Sequence, residues 1–309
     1  MTIAEWQGRL ADHFTVKGVI GGHLSEVFEL EDAVGDHLVS TFHGQSVLID
    51  SLQSFFVETL RATYTILGKS GWPSGAANYP VVVAWYAMLF RRYRACELLF
   101  IKGYPLDGYA LLRDLKDRLF LLAGVVHNMT TFPRILGITD TSIANTEEWK
   151  KQSTAARRTE ESRIRQRLVG AQSNLSAEVL RELKQWEHLF HDEVHSGRLS
   201  LFQEVDSLVR GRAPGIGPTF SQESFAMYMN RADELGWLIA RLLPYLQPTP
   251  GAFDTDWHTK LAVLDESFRY AVEGLSLLGK KIGEAFITLV DQKFSFRQPL
   301  SYTEADGGL

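Results

Sequence analysis

Apolar residues recur every three to four positions along almost the whole chain, and alternation of apolar and polar residues is nearly absent. The first pattern is typical of α-helices, whereas half-buried strands alternate at every second residue. The predicted fold class is therefore all-α, a multi-helix bundle. Helices are predicted over residues 2–15, 24–67, 79–102, 106–128, 147–169, 176–196, 221–246 and 254–293, with an interruption of the second near Gly44.

Segments rich in glycine, proline and serine separate these helices, notably residues 69–78, 103–105 and 210–218. Only three residues separate the helices predicted over 79–102 and 106–128, which favours an antiparallel helical hairpin. We expect residues 1–210 to form the core of the bundle. The long helices within 220–295 are expected to pack on that same bundle.

Charge and cysteine content restrict the class of protein. The net charge is −5, so the chain as a whole does not attract nucleic acid or anionic lipid. Its one cysteine, Cys96, lies in an apolar helical stretch and is predicted to be a buried core residue. The longest apolar run, residues 81–90, is far shorter than the ~20 residues of a membrane span. With no signal peptide visible in the first residues, the expectation is a cytoplasmic protein that does not enter the membrane.

Three of the nine histidines lie within eight residues, in the segment from Arg181 to Arg198. On a helix at about 100° per residue, His188, His191 and His195 fall within an arc of roughly 60°. This arc lies beside the apolar stripe that should face the core. Arg181 lies seven residues before His188, so the two side chains are nearly in line and two turns apart.

Three interpretations of this cluster remain open. His191 and His195, one turn apart, have the spacing of two metal ligands, although a third ligand is not identifiable and no metal or other cofactor is otherwise expected. Arg181 and His188 have the chemistry of a metal-independent nuclease pair, in which the imidazole moves a proton and the guanidinium stabilises phosphate charge. The simplest interpretation is structural, with each imidazole bonded to neighbouring groups of the bundle.

A second polar group lies in the very apolar helix predicted over 106–128. Arg113 with Asp117, and Asp114 with Arg118, are pairs of opposite charge one turn apart. Because leucine and phenylalanine surround them, Arg113 and Asp117 are predicted to be partly buried and paired. The alternative is a polar pocket in which these two residues bind a ligand.

Residues 147–169 carry seven basic and four acidic side chains, and the basic stretch over 150–168 has no interleaved aromatic residues. This composition favours a solvated helix. The alternative is a helix that binds the phosphates of a nucleic acid. The loop over 211–218 matches neither a P-loop nor a dinucleotide fingerprint, and no Gly-x-Ser-x-Gly elbow occurs. The absence of these motifs therefore argues against the common nucleotide-binding and hydrolase folds.

Two stretches, residues 90–105 and 109–117, together with the Val194-His195 pair, resemble HEPN-like bacterial helical-bundle proteins over residues 80–200. The resemblance implies an all-helical, HEPN-like core that commonly dimerises, here with additional N- and C-terminal helices. Some HEPN relatives are metal-independent ribonucleases of toxin and phage-defence systems that use an Arg-x4-6-His motif. Arg181 and His188 match that spacing, but Glu182 stands where the family often has asparagine.

The lead hypothesis is therefore an RNA-directed role, ribonucleolytic through Arg181 and His188 across a homodimer interface. The alternative from another class is a non-catalytic scaffold or sensor that self-associates. The second alternative is a metal-binding bundle that uses His191 and His195.

Overall fold

A computed structural model describes residues 2–15, 23–71, 79–127 and 222–274, together with residues 163, 201, 205, 209 and 218. The four continuous ranges contain seven α-helices, one 3-10 turn and no strand, which confirms the all-α prediction. The helices are α1 (Ile3–Thr15), α2 (His23–Thr41), α3 (His43–Ser70), α4 (Tyr79–Ile101), α5 (Pro105–Val126), α6 (Gln222–Leu242) and α7 (Thr255–Gly274), with the 3-10 turn at Leu243–Leu246. The helices predicted over 147–169 and 176–196 lie outside the described ranges.

Local chemistry sets several helix ends. Thr2 and Glu5 form a capping box at the start of α1, where each side chain accepts a hydrogen bond from the other's backbone N–H, at 3.2 and 2.7 Å. Asp254 caps α7 by accepting a bond of 2.9 Å from the N–H of Trp257. The predicted interruption near Gly44 occurs at Phe42, between α2 and α3.

The predicted antiparallel hairpin is formed by α4 and α5. Arg92 lies 3.4 Å from Asp114, and Arg118 donates to the sulfur of Met88 at 3.3 Å. Residue numbers therefore rise on one helix as they fall on the other. Gly103 in the turn has φ of 82°, and Pro105 begins α5, where its missing N–H costs nothing.

Four of the six aromatic residues on α4 lie seven residues apart, at Tyr79, Tyr86, Tyr93 and Phe100. All four side chains are buried. The three tyrosines donate to backbone carbonyls of α6 and the 3-10 turn: Tyr79 to Leu246 at 2.6 Å, Tyr86 to Leu242, and Tyr93 to Ala232 at 3.2 Å. Phe100 stacks on Tyr228, with ring centroids 4.5 Å apart. This ladder of long side chains joins α4 to the antiparallel α6.

One continuous apolar core runs through helices α2 to α7. α6 packs between α5 and α7, and α3 packs against α7 and the 3-10 turn. Trp257 of α7 donates from its indole N–H to the hydroxyl of Thr59 on α3 at 2.9 Å. Cys96 is fully buried in this core, as predicted, and burial raises the pKa of its thiol to about 12. A thiol held in that state is a packing group and not a nucleophile.

Candidate functional site

The predicted site residues divide into two groups. Arg181, His188, His191 and His195 lie outside the described residues, as does the loop over 211–217. Arg113 and Asp117 lie one turn apart on α5, and both are half-buried. Each of the two side chains interacts with a neighbouring group of the protein.

The second predicted ion pair on α5 is present. Arg118 donates to Asp114 at 2.7 Å, one turn apart, and Asp114 also lies 3.4 Å from Arg92 of α4. These side chains remain 29–40% exposed, so water screens their attraction. The pair helps to set the α4–α5 register and is not a site in itself.

A polar seam runs between α5 and α6, and we define it by Tyr109, Lys116, Arg231 and Glu234. Arg231 and Glu234 form an ion pair whose side chains are only 14% and 4% exposed. Burial raises the pKa of Glu234, and the positive charges of Arg231 and Lys116 oppose that shift. Burial also raises the pKa of Tyr109, which bonds to Arg231.

The predicted binding residue Arg113 belongs to the same face of α5 as this seam. Tyr109, Arg113 and Lys116 follow one another at spacings of four and three residues, which places them in one stripe of the helix. The stripe carries two cations beside a phenol, a combination that suits an anionic group. The binding of a ligand by Arg113 and Asp117 stays a prediction.

A second buried carboxylate lies at the contact between α3 and α4. Glu97 of α4 accepts hydrogen bonds from Gln53 of α3 and from Arg94, and it is 6% exposed. Burial raises the pKa of Glu97, while the bonds from Gln53 and Arg94 act in the opposite direction. These contacts fasten α3 to α4.

Asp265 of α7 is the centre of a third polar group. Arg241 of α6 holds it through two hydrogen bonds, one of them 2.6 Å long, and the indole N–H of Trp237 donates to it at 2.7 Å. The guanidinium also lies over the Trp237 ring, 5.5 Å from its centroid. This clamp is largely buried and fixes the α6–α7 contact.

Asp233 of α6 differs from these three carboxylates. It is completely buried, and neither carboxylate oxygen has a hydrogen-bond partner among the described residues. Burial, with a smaller contribution from the charge of Glu234, raises the pKa of Asp233 to about 8. Asp233 is therefore a neutral acid at pH 7.

Sequence reasoning did not single out Asp233 or the clamp. A signal for Asp233 was present, since it lies four residues after Met229 and four before Trp237, both of which are buried. A carboxyl between two apolar positions of one stripe is a candidate for burial. The partners of Asp265 and Glu97 come from other helices, and spacing along one helix does not reveal them.

The described residues also bear on two classes of function. Nowhere in these ranges do three His, Cys, Asp or Glu side chains come together in a way that would hold a metal ion. Each helix in the same ranges is too short or too polar to cross a bilayer. The metal hypothesis for His191 and His195 falls outside these residues and stays a prediction.

Comparison with known proteins does not assign the chain to a family. No protein-family model matches it, and neither a curated protein nor a solved structure is detectably similar to it.

Proposed function

We propose that this chain is a metal-independent ribonuclease with a HEPN-like helical core that acts as a homodimer. The observation that carries the proposal is the Arg181-x6-His188 spacing, which places a guanidinium and an imidazole in line on one predicted helix. The all-α bundle of the described residues supports it, because the family that the sequence resembles has that fold class. A fold class alone never specifies a reaction.

The chemistry of the proposal needs only these two side chains. The imidazole of His188 accepts the proton of a ribose 2′-hydroxyl, and the freed oxygen attacks the adjacent phosphorus. Arg181 stabilises the negative charge that builds on the phosphoryl oxygens. The bond from phosphorus to the 5′-oxygen of the next nucleotide breaks, and that oxygen takes up a proton. The products are a 2′,3′-cyclic phosphate and a 5′-hydroxyl.

The stripe of α5 that carries Arg113 is the proposed second contact with RNA. Arg113 would neutralise a phosphate away from the cleaved bond. The basic residues of 147–169 are a further source of positive charge in the sequence. Such contacts strengthen binding without selecting a sequence.

The test is cleavage of a defined single-stranded RNA in the presence of EDTA. Wild type should produce 5′-hydroxyl ends, and a substrate with a 2′-deoxyribose at the cleaved position should resist. His188→Ala and Arg181→Ala should each lower the rate by about 100-fold or more. His43→Ala removes an exposed imidazole from the start of α3 and should keep wild-type activity.

Either of two results would contradict this proposal. Wild type would show no cleavage of any RNA tested, or both variants would cleave as fast as wild type. Cleavage that stops in EDTA and returns with zinc would instead favour the metal site at His191 and His195.

The second candidate function is a non-catalytic scaffold that associates with further copies of itself. Leu201, Val205 and Val209 are each helical, and their side chains are 63%, 47% and 81% exposed. Spacing of four residues places such side chains on one helix face. An apolar face of this kind favours association through coiled-coil-like packing.

Light scattering distinguishes this candidate from a monomer. A scaffold should show a mass that rises with protein concentration, and Val205→Glu should lower that mass. Val263→Glu is the matched control, because Val263 on α7 is a comparably exposed valine, at 59%. A monomeric mass over the whole concentration range would remove both the scaffold and the dimeric form of the ribonuclease.

A further inference from the structure

Asp233 is the one fully buried carboxyl group in the described helices whose two oxygens both lack a hydrogen-bond donor. It lies in the middle of α6, where the helix packs against α3, α5 and α7 and meets the tyrosine ladder of α4. A carboxylate without partners in such a place is costly, because desolvation of the charge is not compensated. Burial of the protonated, neutral acid costs much less free energy.

In the part of the chain that the structure describes, none of the groups that act on Asp233 electrostatically is a cation that would stabilise its ionised form. From α4, Tyr93 lies within electrostatic reach, but its hydroxyl donates to the Ala232 carbonyl. On α6 itself, Tyr228 and Glu234 act on it, and Glu234 adds a like charge. Repulsion between the two carboxylates favours the protonated form of one of them.

Cations on the neighbouring helices are engaged elsewhere. Arg231 and Lys116 act on Glu234 across the α5–α6 seam. Arg94 of α4 bonds to Glu97, beside Gln53 of α3. Towards α7, Arg241 is held by Asp265. Each nearby carboxylate other than Asp233 therefore has a donor.

We propose that Asp233 is a proton-controlled switch in the packing of α6. While the carboxyl group keeps its proton, α6 stays packed in a dry core against α4. Loss of that proton places an unpaired charge in the core, and the contact opens so that water reaches the carboxylate.

The direction of the pH effect follows from linkage. Burial raises the pKa of Asp233 from 3.8 to about 8. The unfolded chain therefore loses this proton at a lower pH than the folded protein does. The stabilisation is complete below about pH 4, is lost steadily as pH rises towards 8, and is gone above it.

Urea unfolding of wild type and Asp233→Asn from pH 5 to 7.5 tests the proposal. The ratio of the two unfolding constants, wild type over variant, should rise about tenfold per pH unit, because one proton is released on unfolding. A constant offset from the new amide does not change this slope. A ratio that stays flat across the range would overturn the proposal.

Asp265→Asn is the matched control. It alters a largely buried carboxylate on the neighbouring helix, to which three hydrogen bonds are donated. Asp265→Asn should unfold more readily than wild type. The ratio of its unfolding constant to that of Asp233→Asn should rise with pH as steeply as the wild-type ratio does, because Asp233 is intact. If Asp265→Asn instead abolishes the slope, Asp233 is not the group responsible.

Hydrogen exchange of wild type gives a measurement that needs no variant. After correction for intrinsic exchange rates, amide protection in 229–237 of α6 should fall at least tenfold between pH 7 and pH 9, whereas protection in 49–56 of α3 should change little. Equal changes in both segments would contradict a local switch. Asp233→Leu is a second neutral variant if the asparagine variant does not fold.

Discussion

The C-terminal end and the middle of α6 accommodate a buried acidic group in different ways. At its C-terminal end, Arg241 and Trp237 both donate to Asp265, and Tyr86 donates to the carbonyl of Leu242. In the middle, one turn before Trp237, Asp233 is more deeply buried than Asp265, whose side chain is 15% exposed, and it has no donor within the described ranges. The deeper of the two carboxyl groups is therefore the one without donors.

Each arrangement has its own consequence for the fold. A carboxylate held by two side chains fixes the position of α7 against α6, and its contribution depends on both partners being present. A carboxyl group without a donor fixes nothing, but it makes the same helix sensitive to pH. Mutations at the C-terminal end should therefore lower stability, whereas replacing Asp233 with asparagine, which does not ionise in the unfolded chain, should raise it near pH 7.

The largest expected effect is at the clamp. Arg241→Met leaves Asp265 largely buried with Trp237 as its remaining donor, which should lower the free energy of unfolding by about 3 to 4 kcal/mol. Urea unfolding at pH 7 measures it. Asp233 is untouched in this variant, so the pH slope of its stability should match that of wild type.

A double variant separates the ion pair from simple loss of packing. Arg241→Met with Asp265→Leu removes both charges, and much of the lost stability should return because no carboxylate is left without its cation. If the double variant is as unstable as the sum of the single variants, Arg241 acts through its packing on Trp237 and not through Asp265. The supply of donors would then not explain the difference between the C-terminal end and the middle of α6.

Gly236 gives the next effect in size, and it lies between the two regions. A Cβ atom there would come within 2.7 Å of the Phe268 ring and 2.8 Å of the Tyr93 hydroxyl. Overpacking of this kind typically costs ~1–3 kcal/mol, and the better helix propensity of alanine offsets about 1 kcal/mol. Gly236→Ala should therefore lower the free energy of unfolding by up to about 2 kcal/mol.

Gly68→Ala is the matched control for that prediction. Gly68 is also helical, but no atom lies within 4 Å of the position of its Cβ. This variant should gain about 0.5 to 1 kcal/mol from helix propensity. If both variants are stabilised, the close approach of α6 and α7 at Gly236 is looser than described.

Sequence periodicity predicted most of the described fold because it reports which helix face is apolar. The hairpin of α4 and α5 and the start of α7 follow from Gly103, Pro105 and Asp254, whose chemistry is local. The predicted helix over 221–246 ends instead as α6 at Leu242 and continues as a 3-10 turn. Pro244 explains this change, since it lacks the N–H that another α-helical turn requires.

The candidate site was less predictable. Asp114 with Arg118 was visible because both charges lie on one helix, one turn apart. Glu97 and Asp265 take their donors from helices far away in sequence, so no spacing rule indicates them. Asp233 was missed for the opposite reason: pattern analysis assigns a charged residue to the surface unless a partner is visible. An unpartnered acid inside a core is an exception that only the packing of several helices reveals.

The smallest effects concern the tyrosine ladder. Tyr86 is the side-chain donor to the Leu242 carbonyl at the end of α6, whereas the Leu246 carbonyl accepts from both Tyr79 at 2.6 Å and Thr63 at 3.1 Å. Tyr86→Phe should therefore cost about 1 kcal/mol of unfolding free energy and Tyr79→Phe about half as much. Adding Thr63→Val to Tyr79→Phe should bring the loss to at least that of Tyr86→Phe, since Leu246 then loses both donors. Equal losses for the two single tyrosine variants would show that a second donor to the same carbonyl does not reduce the loss of stability. The number of donors would then not explain how the C-terminal end of α6 differs from its middle.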